Sequence, residues 1–531
     1  MSRCLAVMRR LSKRVALLAL LGALSACSTL RPDFVKQPSH ALAPVADTPS
    51  TRYVSDELAK HPGESGFRML INNKNALMSR IVLVDHAQHS VDLQYYLFEN
   101  DATGRLLSQR LLAAADRGVR VRILIDDLGI TDQDHMLDAL DAHPNIQVRL
   151  FNPFRIRDRS LLSKVGQFVI EGVRLNRRMH NKSFIVDGMQ AIIGGRNIGD
   201  AYFDAGDTVH FRDLDVLAIG PVVPQISKMF DEYWNCPAAY PVHAYSADVA
   251  SERNLVRLRT RLKHDARAFS QSDYAQALAY ELPKGPSADR SGRWLWGTAT
   301  LAADDPSKVD PAVKERGVRI GRQVGRVLAA AREEAILISP YFIPGESGEA
   351  FLESLSARGV QIKALTNSLA ATDEPEVHAG YARYRRSMLR AGIDLYEFRP
   401  IGGANAEHAL GTSSGVSLHA KAMVVDHREV FIGSMNFDPR SRYLNTEMGV
   451  IVDSPALAAA VERYFDHATT PANAFHVQLG ACAGTRPTHW SMRWTASDDG
   501  HSVCFDHDPD VSMWKRIEVQ MWRMLPVEGL L

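Results

Sequence analysis

Two stretches of the chain share one pattern of apolar and polar positions. The first, HNKSFIVDGMQAIIGGRN from His180 to Asn197, sets the apolar run Phe184-Ile185-Val186 against Ala191-Ile192-Ile193, with Asp187-Gly188 between them. Short apolar runs around an Asp-Gly pair predict a β-hairpin. Side chains alternate along a strand, so His180, Lys182 and Phe184 share one face. Centred between Gly188 and Met189, the hairpin lays Asn197 across from His180 and Gly195 across from Lys182. The second stretch, HAKAMVVDHREVFIGSMN from His419 to Asn436, matches the first at seven of eighteen positions without a gap. Centred between His427 and Arg428, it lays Asn436 across from His419 and Ser434 across from Lys421. Asp187 stands about 23 Å from His180 along a straight strand. It and its counterpart Asp426 are therefore read as turn residues, not as partners of the histidines.

The repetition extends outward. GFRMLINNKNALMSRIVLVDHA has a helical pattern and leads to the strand VDLQYYLF, a helical run to Ala115, and the strand RGVRVRILIDD. Later, RIGRQVGRVLAAAREEA leads to ILISPYFI, another helical run, and RGVQIKALTNS. Strands alternating with helices predict an α/β fold. The expected architecture is two related halves, residues 66–245 and 316–470, each a mixed sheet flanked by helices, with the active site between them. Residues 246–315 carry ELPKGPSADRSG and AADDPSKVDP and read as a connecting segment, and 471–531 as a tail with an amphipathic helix.

Composition narrows the classes. With 62 basic against 61 acidic side chains, the 531-residue chain carries no global field to recruit a polyanion, which disfavours nucleic acid as a partner. Arg3, Arg9, Arg10, Lys13 and Arg14 precede the apolar run Val15–Leu24, about half the roughly 20 residues a spanning helix needs. Residues 1–26 therefore read as a signal peptide, and Leu24-Ser25-Ala26-Cys27 resembles a lipobox in which Cys27 is acylated. Residues 27–65, rich in Pro, Ser, Thr and Ala, read as a tether. The expected location is a bacterial membrane, lipid-anchored and facing the periplasm, with inner and outer membrane both open. Of the remaining cysteines, Cys236, Cys482 and Cys504, the last two either pair in an oxidising compartment or stay as buried thiols.

Two His-x-Lys sites 239 residues apart suit displacement at a phosphodiester, which uses a nucleophile on one side of phosphorus and an acid on the other. Lys182 and Lys421 would neutralise phosphoryl oxygens, with Asn197, Asn436 and Ser434 as hydrogen-bond donors. No metal or other cofactor is called for. A catalytic imidazole needs its tautomer held. Asp213 in FRDLDVLAIG and Glu447 in NTEMGVIV each open an apolar strand after a hairpin, so each can lie beside its own hairpin; Asp215 is a rival to Asp213.

The paired His-x-Lys-x4-Asp motifs, each followed by Gly and Asn, resemble the phospholipase D superfamily from about Gly66 to His467. RLNRRMHNKSF, GGRNIGDAYF, LTNSLAATD, VHAGYARYRR, NFDPRSRYLNTEMG and LPVEGLL are similar to bacterial cardiolipin synthases of the C type. The resemblance implies a catalytic set drawn from both motifs, His180, Lys182, Asp187, His419, Lys421 and Asp426. It also implies transfer of a phosphatidyl group from phosphatidylethanolamine or phosphatidylglycerol to phosphatidylglycerol through a phosphohistidine, with His180 as nucleophile. A phospholipase D giving the group to water would share every one of these residues. A nuclease of the superfamily fits the charge less well. Both motifs lie in one chain, so a monomer suffices; a protein partner is left open.

Three stretches suit a lipid substrate. Residues 154–178 interleave basic and apolar side chains. VHAGYARYRRSMLRAG sets His378 one helical turn from Tyr381, as candidate head-group contacts. MWKRIEVQMWRML aligns Met513, Trp514, Ile517, Met521, Met524 and Leu525 opposite Lys515, Arg516 and Arg523.

Overall fold

The computed structural model describes residues 34–44, 48–129, 134–155, 166, 171–206, 209–244, 252–281, 293–313, 319–400, 415–488 and 491–523. The leader with Cys27 and most of the basic stretch after Phe154 lie outside the described residues, as do Met524 and Leu525.

The first half contains β1 (Ser65–Leu70), β2 (Ser90–Leu97), β3 (Arg120–Gly129), β4 (Ile146–Phe151), β5 (Ser183–Val186), β6 (Gln190–Gly194), β7 (Val209–Arg212), β8 (Asp215–Ile219) and β9 (Ala239–Pro241). Its sheet runs β1-β8-β6-β5-β2-β3-β4-β9, with β2, β3 and β4 parallel and the other neighbours antiparallel. The second half contains β10 (Leu295–Ala303), β11 (Glu334–Ile338), β12 (Gln361–Asn367), β13 (Asp394–Phe398), β14 (Gly415–Leu418), β15 (Ala422–Val425), β16 (Glu429–Gly433), β17 (Met448–Asp453) and β18 (Ala474–Leu479). Its sheet repeats the order as β10-β17-β16-β15-β11-β12-β13-β18, extended by β19 (Met492–Asp498) and β20 (His501–Phe505). β1 and β10 pair across the halves. One apolar core spans the seam, with Ile185, Ile193 and Val216 from one sheet and Ile336, Val424 and Ile432 from the other.

The element boundaries depart from expectation in three places. GFRMLI is not helical but forms most of β1; the helix starts at Asn73, where the Asn72 side chain accepts from the Asn75 N–H. β10 lies inside the expected connecting segment, and β18 beyond the expected end, so the second half is longer at both ends. Thr and Gly inside β10 and Asp-Pro after it gave this strand the composition of a linker. The tether is not a free coil. Residues 34–44 run along the first half, where Lys36 Nζ donates to the carbonyls of Cys236, Pro237 and Ala239 at 3.2, 2.8 and 3.0 Å, and Pro49–Ala59 is a helix with a Thr48–Thr51 capping box.

Both hairpins form, shifted by one residue. Asp187 and Gly188 have φ of 52° and 66°, and Asp426 and His427 of 50° and 55°, with Met189 N bonded to Val186 O and Arg428 N to Val425 O at 3.1 Å. Positive φ at both central residues is the primed turn that matches strand twist. An additional loop residue moves the centres onto Gly188 and His427, pairing Ser183 with Ile193 and Ala422 with Ile432. Gly433, not Ser434, therefore lies across from Lys421, its N–H donating to Lys421 O at 3.2 Å.

Candidate active site

The strand ends converge because the halves exchange backbone pairings. Leu418 pairs parallel with Arg212, and Met179 with Thr446. His419 N then donates to Arg212 O at 2.7 Å, and His180 N to Thr446 O at 2.9 Å. The residue after each of those acceptors is a carboxylate. Each half thereby delivers its acid to the other half's histidine: His180 Nδ1 lies 2.9 Å from Glu447 Oε2, and His419 Nδ1 2.5 Å from Asp213 Oδ2. The expectation that each carboxylate serves its own hairpin is corrected here, since a single sequence motif cannot display a crossed pairing. The rival Asp215 is engaged elsewhere, by Arg80 at 2.8 Å and Arg196 at 3.4 Å.

Apart from His180, which is partly exposed, these side chains are buried. Lys182 and Lys421 are 2% and 0% exposed, and their ammonium groups donate to the carbonyls of His180 and His419, at 2.7 and 2.6 Å. Burial lowers both lysine pKa values, with the carboxylates opposing. Burial also holds both imidazoles well below their ordinary pKa, and the charges of Lys182 and Lys421 act in the same direction. The histidines are thus neutral at pH 7. With Nδ1–H facing a carboxylate, each presents a free Nε2 lone pair. Burial raises Asp213 and pushes Glu447 up to about 7, against the pull of Lys182 and of the Ser434 and Ser441 hydroxyls. Among the described residues, no group of three or more His, Cys, Asp or Glu side chains has the disposition of a metal site.

The arrangement is two imidazoles, each backed by a carboxylate, beside two buried lysines. A sequence profile described as "Cardiolipin synthase, PLD-like domain" matches residues 81–234 and 324–469, the two segments that carry this site. The chain belongs to the cardiolipin synthase family. It is a phospholipase D-type phosphatidyltransferase, of a family that acts on membrane phospholipids. Cardiolipin synthase C of Escherichia coli (strain K12) is 39% identical over 484 residues, covering 89% of this chain and 98% of that protein. An uncharacterized protein of Helicobacter pylori (strain ATCC 700392 / 26695) is 32% identical over 91% of this chain and 93% of its own length. The crystal structure of a phosphatidylserine synthase from Haemophilus influenzae Rd KW20 shares the fold, with a TM-score of 0.55 at 12% identity, over 91% of this chain and 100% of that one.

Of the residues in the cardiolipin synthase motifs, Ser434 and Asn197 make contacts other than those expected, while the two aspartates stand where the hairpin reading put them and apart from the catalytic set the resemblance implied. Asp187 and Asp426 are at the turns, away from the histidines: Asp187 accepts from the N–H groups of Gln88, His89 and Ser90, and Asp426 from those of Arg332, Glu333 and Glu334. Each ties its hairpin to the start of the neighbouring strand, which is a structural task. Ser434 Oγ donates to Glu447 Oε2 at 2.5 Å, so it backs the carboxylate where a phosphoryl contact was expected. Asn197 accepts from Leu97 N at 3.2 Å and donates to Tyr202 OH at 2.8 Å, bracing the end of β2. Asn436 Oδ1, an acceptor, is buried without a hydrogen-bond partner among the described residues.

His378 and Tyr381 are not head-group contacts. They are 3% and 1% exposed, with His378 Nε2 2.8 Å from Arg385 Nη2 and Tyr381 OH donating to Glu397 at 3.1 Å. Arg385 is itself buried between Glu397 and Asp508, so the basic pattern concealed an internal ion network. Ser441 was missed: its hydroxyl donates to Glu447 Oε1 at 2.8 Å. It stands five residues after Asn436, as Tyr202 does after Asn197. The repeat marks the place, but a Ser in one copy and a Tyr in the other hide the role. Aromatic walls were missed too, Tyr96 against His180 and Tyr202 and Phe211 against His419.

Proposed function

We propose that the enzyme moves a phosphatidyl group from phosphatidylethanolamine or phosphatidylglycerol to phosphatidylglycerol, forming cardiolipin through a phosphohistidine on His180. The observation that carries this is the pair of buried lysines, neither in an ion pair among the described residues, beside two neutral imidazoles. Two buried ammonium groups beside two imidazoles suit the phosphoryl oxygens of a phosphodiester. The 39% identity to a cardiolipin synthase C supports the product.

In the first step, His180 Nε2 attacks phosphorus, an N–P bond forms, and the bond to the head-group oxygen breaks. That oxygen takes the proton from His419 Nε2. Free His419 is neutral because burial and the lysine charges disfavour its protonation. The phosphate charge arriving between Lys182 and Lys421 cancels part of that field and lets the imidazole carry the proton. In the second step, an acceptor hydroxyl gives its proton to His419, its oxygen attacks phosphorus, and the N–P bond breaks. Asn436 would donate from Nδ2 to a phosphoryl oxygen. Both halves come from one chain, so one molecule suffices.

We further propose attachment to a bacterial membrane on its periplasmic side, through acylated Cys27. The Cys482–Cys504 disulfide, with Cα atoms 5.8 Å apart, supports an oxidising compartment. Expression in a strain lacking its own cardiolipin synthases, followed by lipid analysis, tests the function. Cardiolipin should appear with the wild-type chain and be absent with His180→Ala. Phosphatidic acid as the main product, undiminished by added glycerol-type acceptors, would make the enzyme a hydrolase.

A further inference from the structure

Between β10 and the helix Ile320–Ala329 the chain buries an ion pair that the transfer steps do not use. Asp304 and Lys308 are each 2% exposed, and Lys308 Nζ donates to Asp304 Oδ2 at 2.7 Å. Asp304 Oδ1 accepts the N–H groups of Arg319 and Ile320 at 2.8 and 3.1 Å, at the start of that helix. A helix start needs only a neutral acceptor. Asp215 and Gly449 each stand two residues past a catalytic carboxylate and pair with Leu70 and Ala302, which puts Asn72 at the position of Asp304 in the first half. There the neutral Asn72 side chain suffices, accepting from Asn75 N. Burying two charges costs desolvation that a helix cap does not require. The remaining contacts of the pair lead to Glu447.

Asp304 Oδ2 accepts the Glu447 N–H at 3.2 Å, and the Asp304 N–H donates to Glu447 O at 3.0 Å. Lys308 Nζ also donates to Ser441 O at 2.9 Å, and the Ser441 hydroxyl is one of the two donors on the Glu447 carboxylate. One ion pair thus fastens both the backbone of Glu447 and a donor to its side chain. The same turn reaches the other half, where Arg177 Nη1 donates to Lys308 O at 2.9 Å. Arg177 stands three residues before His180, so the histidine's approach and its acid are braced from one place. Behind Asp213 a buried cation comes from elsewhere: Arg196 Nη2 donates to Asp213 O at 2.7 Å. Met435 holds the position of Arg196 in the second motif. Where the motif lacks its arginine, the connecting segment supplies Lys308.

We propose that Lys308 and Asp304 are positioning residues for the reaction, holding Glu447 and Ser441 where they orient His180. This rests on His180 as the nucleophile and adds a brace that lies outside both motifs. Burial pushes Glu447 up to about 7, against the Lys182 charge, the Ser434 and Ser441 hydroxyls and the Lys308 charge. His180, Lys421 and Asp438 face Glu447 as well. Loss of Lys308 removes one of these charges and frees the carbonyl of Ser441, and both changes disfavour the ionised carboxylate.

The test uses the full chain. Lys308→Met leaves Asp304 buried without its cation and should lower the melting temperature, whereas Lys308→Met with Asp304→Asn leaves no unpaired charge and should regain most of that loss. With a phospholipid bearing a good leaving group, the burst amplitude counts competent molecules and the burst rate constant reads the attack by His180. That rate constant should fall on the order of tenfold in both variants. In enzyme isotope-labelled at its histidine rings, the His180 signals, assigned by their absence from His180→Ala, follow the ionisation of Glu447 as pH is changed. Their titration should move upward in both variants, by about half a pH unit in Lys308→Met. A double variant with parental rate constant and parental His180 titration would overturn the proposal and leave the pair to the helix start alone. So would a smaller burst at the parental rate constant, which a merely structural role produces. If the parent gives no burst, His180 fails as the nucleophile while the titration still decides the brace.

Discussion

The two histidine–carboxylate pairs are related by the internal repeat yet differ in how the acid is held. Glu447, behind His180, receives two hydroxyls, Ser434 Oγ at 2.5 Å and Ser441 Oγ at 2.8 Å. Asp213, behind His419, receives the Leu214 N–H at 2.7 Å, and Gly195 occupies the position of Ser434. A Cβ at Gly195 would lie 2.4 Å from Asp213 Oδ1, so the glycine is required for that carboxylate to approach its histidine. One half thus uses a longer acid pinned by neutral donors, the other a shorter acid packed against bare backbone. A carboxylate fixed by two hydroxyls holds the imidazole rigidly as a nucleophile needs. The sparser pair can change its proton inventory, as an acid–base must. A duplicated site has in this way become two unlike groups while its backbone stayed symmetric.

Exchange of roles is the sharpest way to break that contrast. His180→Ala and His419→Ala should each lower turnover of natural substrate by about 10⁴-fold or more. A donor with a good leaving group, which needs no acid, should restore the first step in His419→Ala alone. Equal restoration in both variants, measured as a burst of released leaving group, would make the histidines interchangeable.

Next come the acids. Glu447→Gln and Asp213→Asn should each cost about 10²- to 10⁴-fold in kcat, because the amide presents the wrong tautomer to the ring. Each loss belongs to the histidine of the opposite half. If Glu447→Gln impaired the acid–base step and spared the first, in single-turnover assays, the crossed pairing would be wrong.

A smaller effect sharpens the difference between the pairs. Ser441→Ala should lower kcat/KM by about tenfold. The ionised form of Glu447 is required, so with a donor whose leaving group needs no acid the first step should speed up as pH rises through about 7. The hydroxyl favours that ionised form, so its removal should move the acidic limb of the kcat/KM profile upward. The histidines add no limb at their ordinary pKa, since both are held below it. An unmoved limb in Ser441→Ala would remove the hydroxyl from any part in setting Glu447.

The smallest effects on chemistry are expected at the turns. Asp187→Asn should cost about 1–3 kcal/mol of stability, the scale of hydrogen bonds to a charged group. Asp426→Asn should cost less, because its turn is more exposed. Activity per folded molecule should be nearly unchanged in both, as thermal melts and active-site-normalised rates would report. A large loss of activity without loss of stability would return these residues to the catalytic set.

The repeated motif made much of this legible. The period of two placed His180 with Lys182, and His419 with Lys421, on one strand face, and the second copy fixed that the pattern mattered. The one-residue hairpin shift was not legible, because primed turns with and without an additional loop residue read alike in sequence. Nor was the crossed pairing, since it depends on Leu418 meeting Arg212 and Met179 meeting Thr446 across more than two hundred residues. His378 and Tyr381 misled because Arg385 reads as a solvent cation until Glu397 and Asp508 are brought around it. The stripe on the last helix was visible as periodicity, but only the packing of Val519 on the opposite side shows that Met513, Trp514, Ile517 and Met521 are left exposed.

The most direct measurement is the site of the covalent adduct. The His419→Ala enzyme would be mixed with a phospholipid bearing a good leaving group, quenched, digested, and its peptides mapped by mass spectrometry under conditions that preserve phosphoramidates. A phosphatidyl group on His180, absent from His180→Ala, is the predicted result. An adduct on another residue, or release of the leaving group with no adduct at any time, would contradict nucleophilic catalysis by His180.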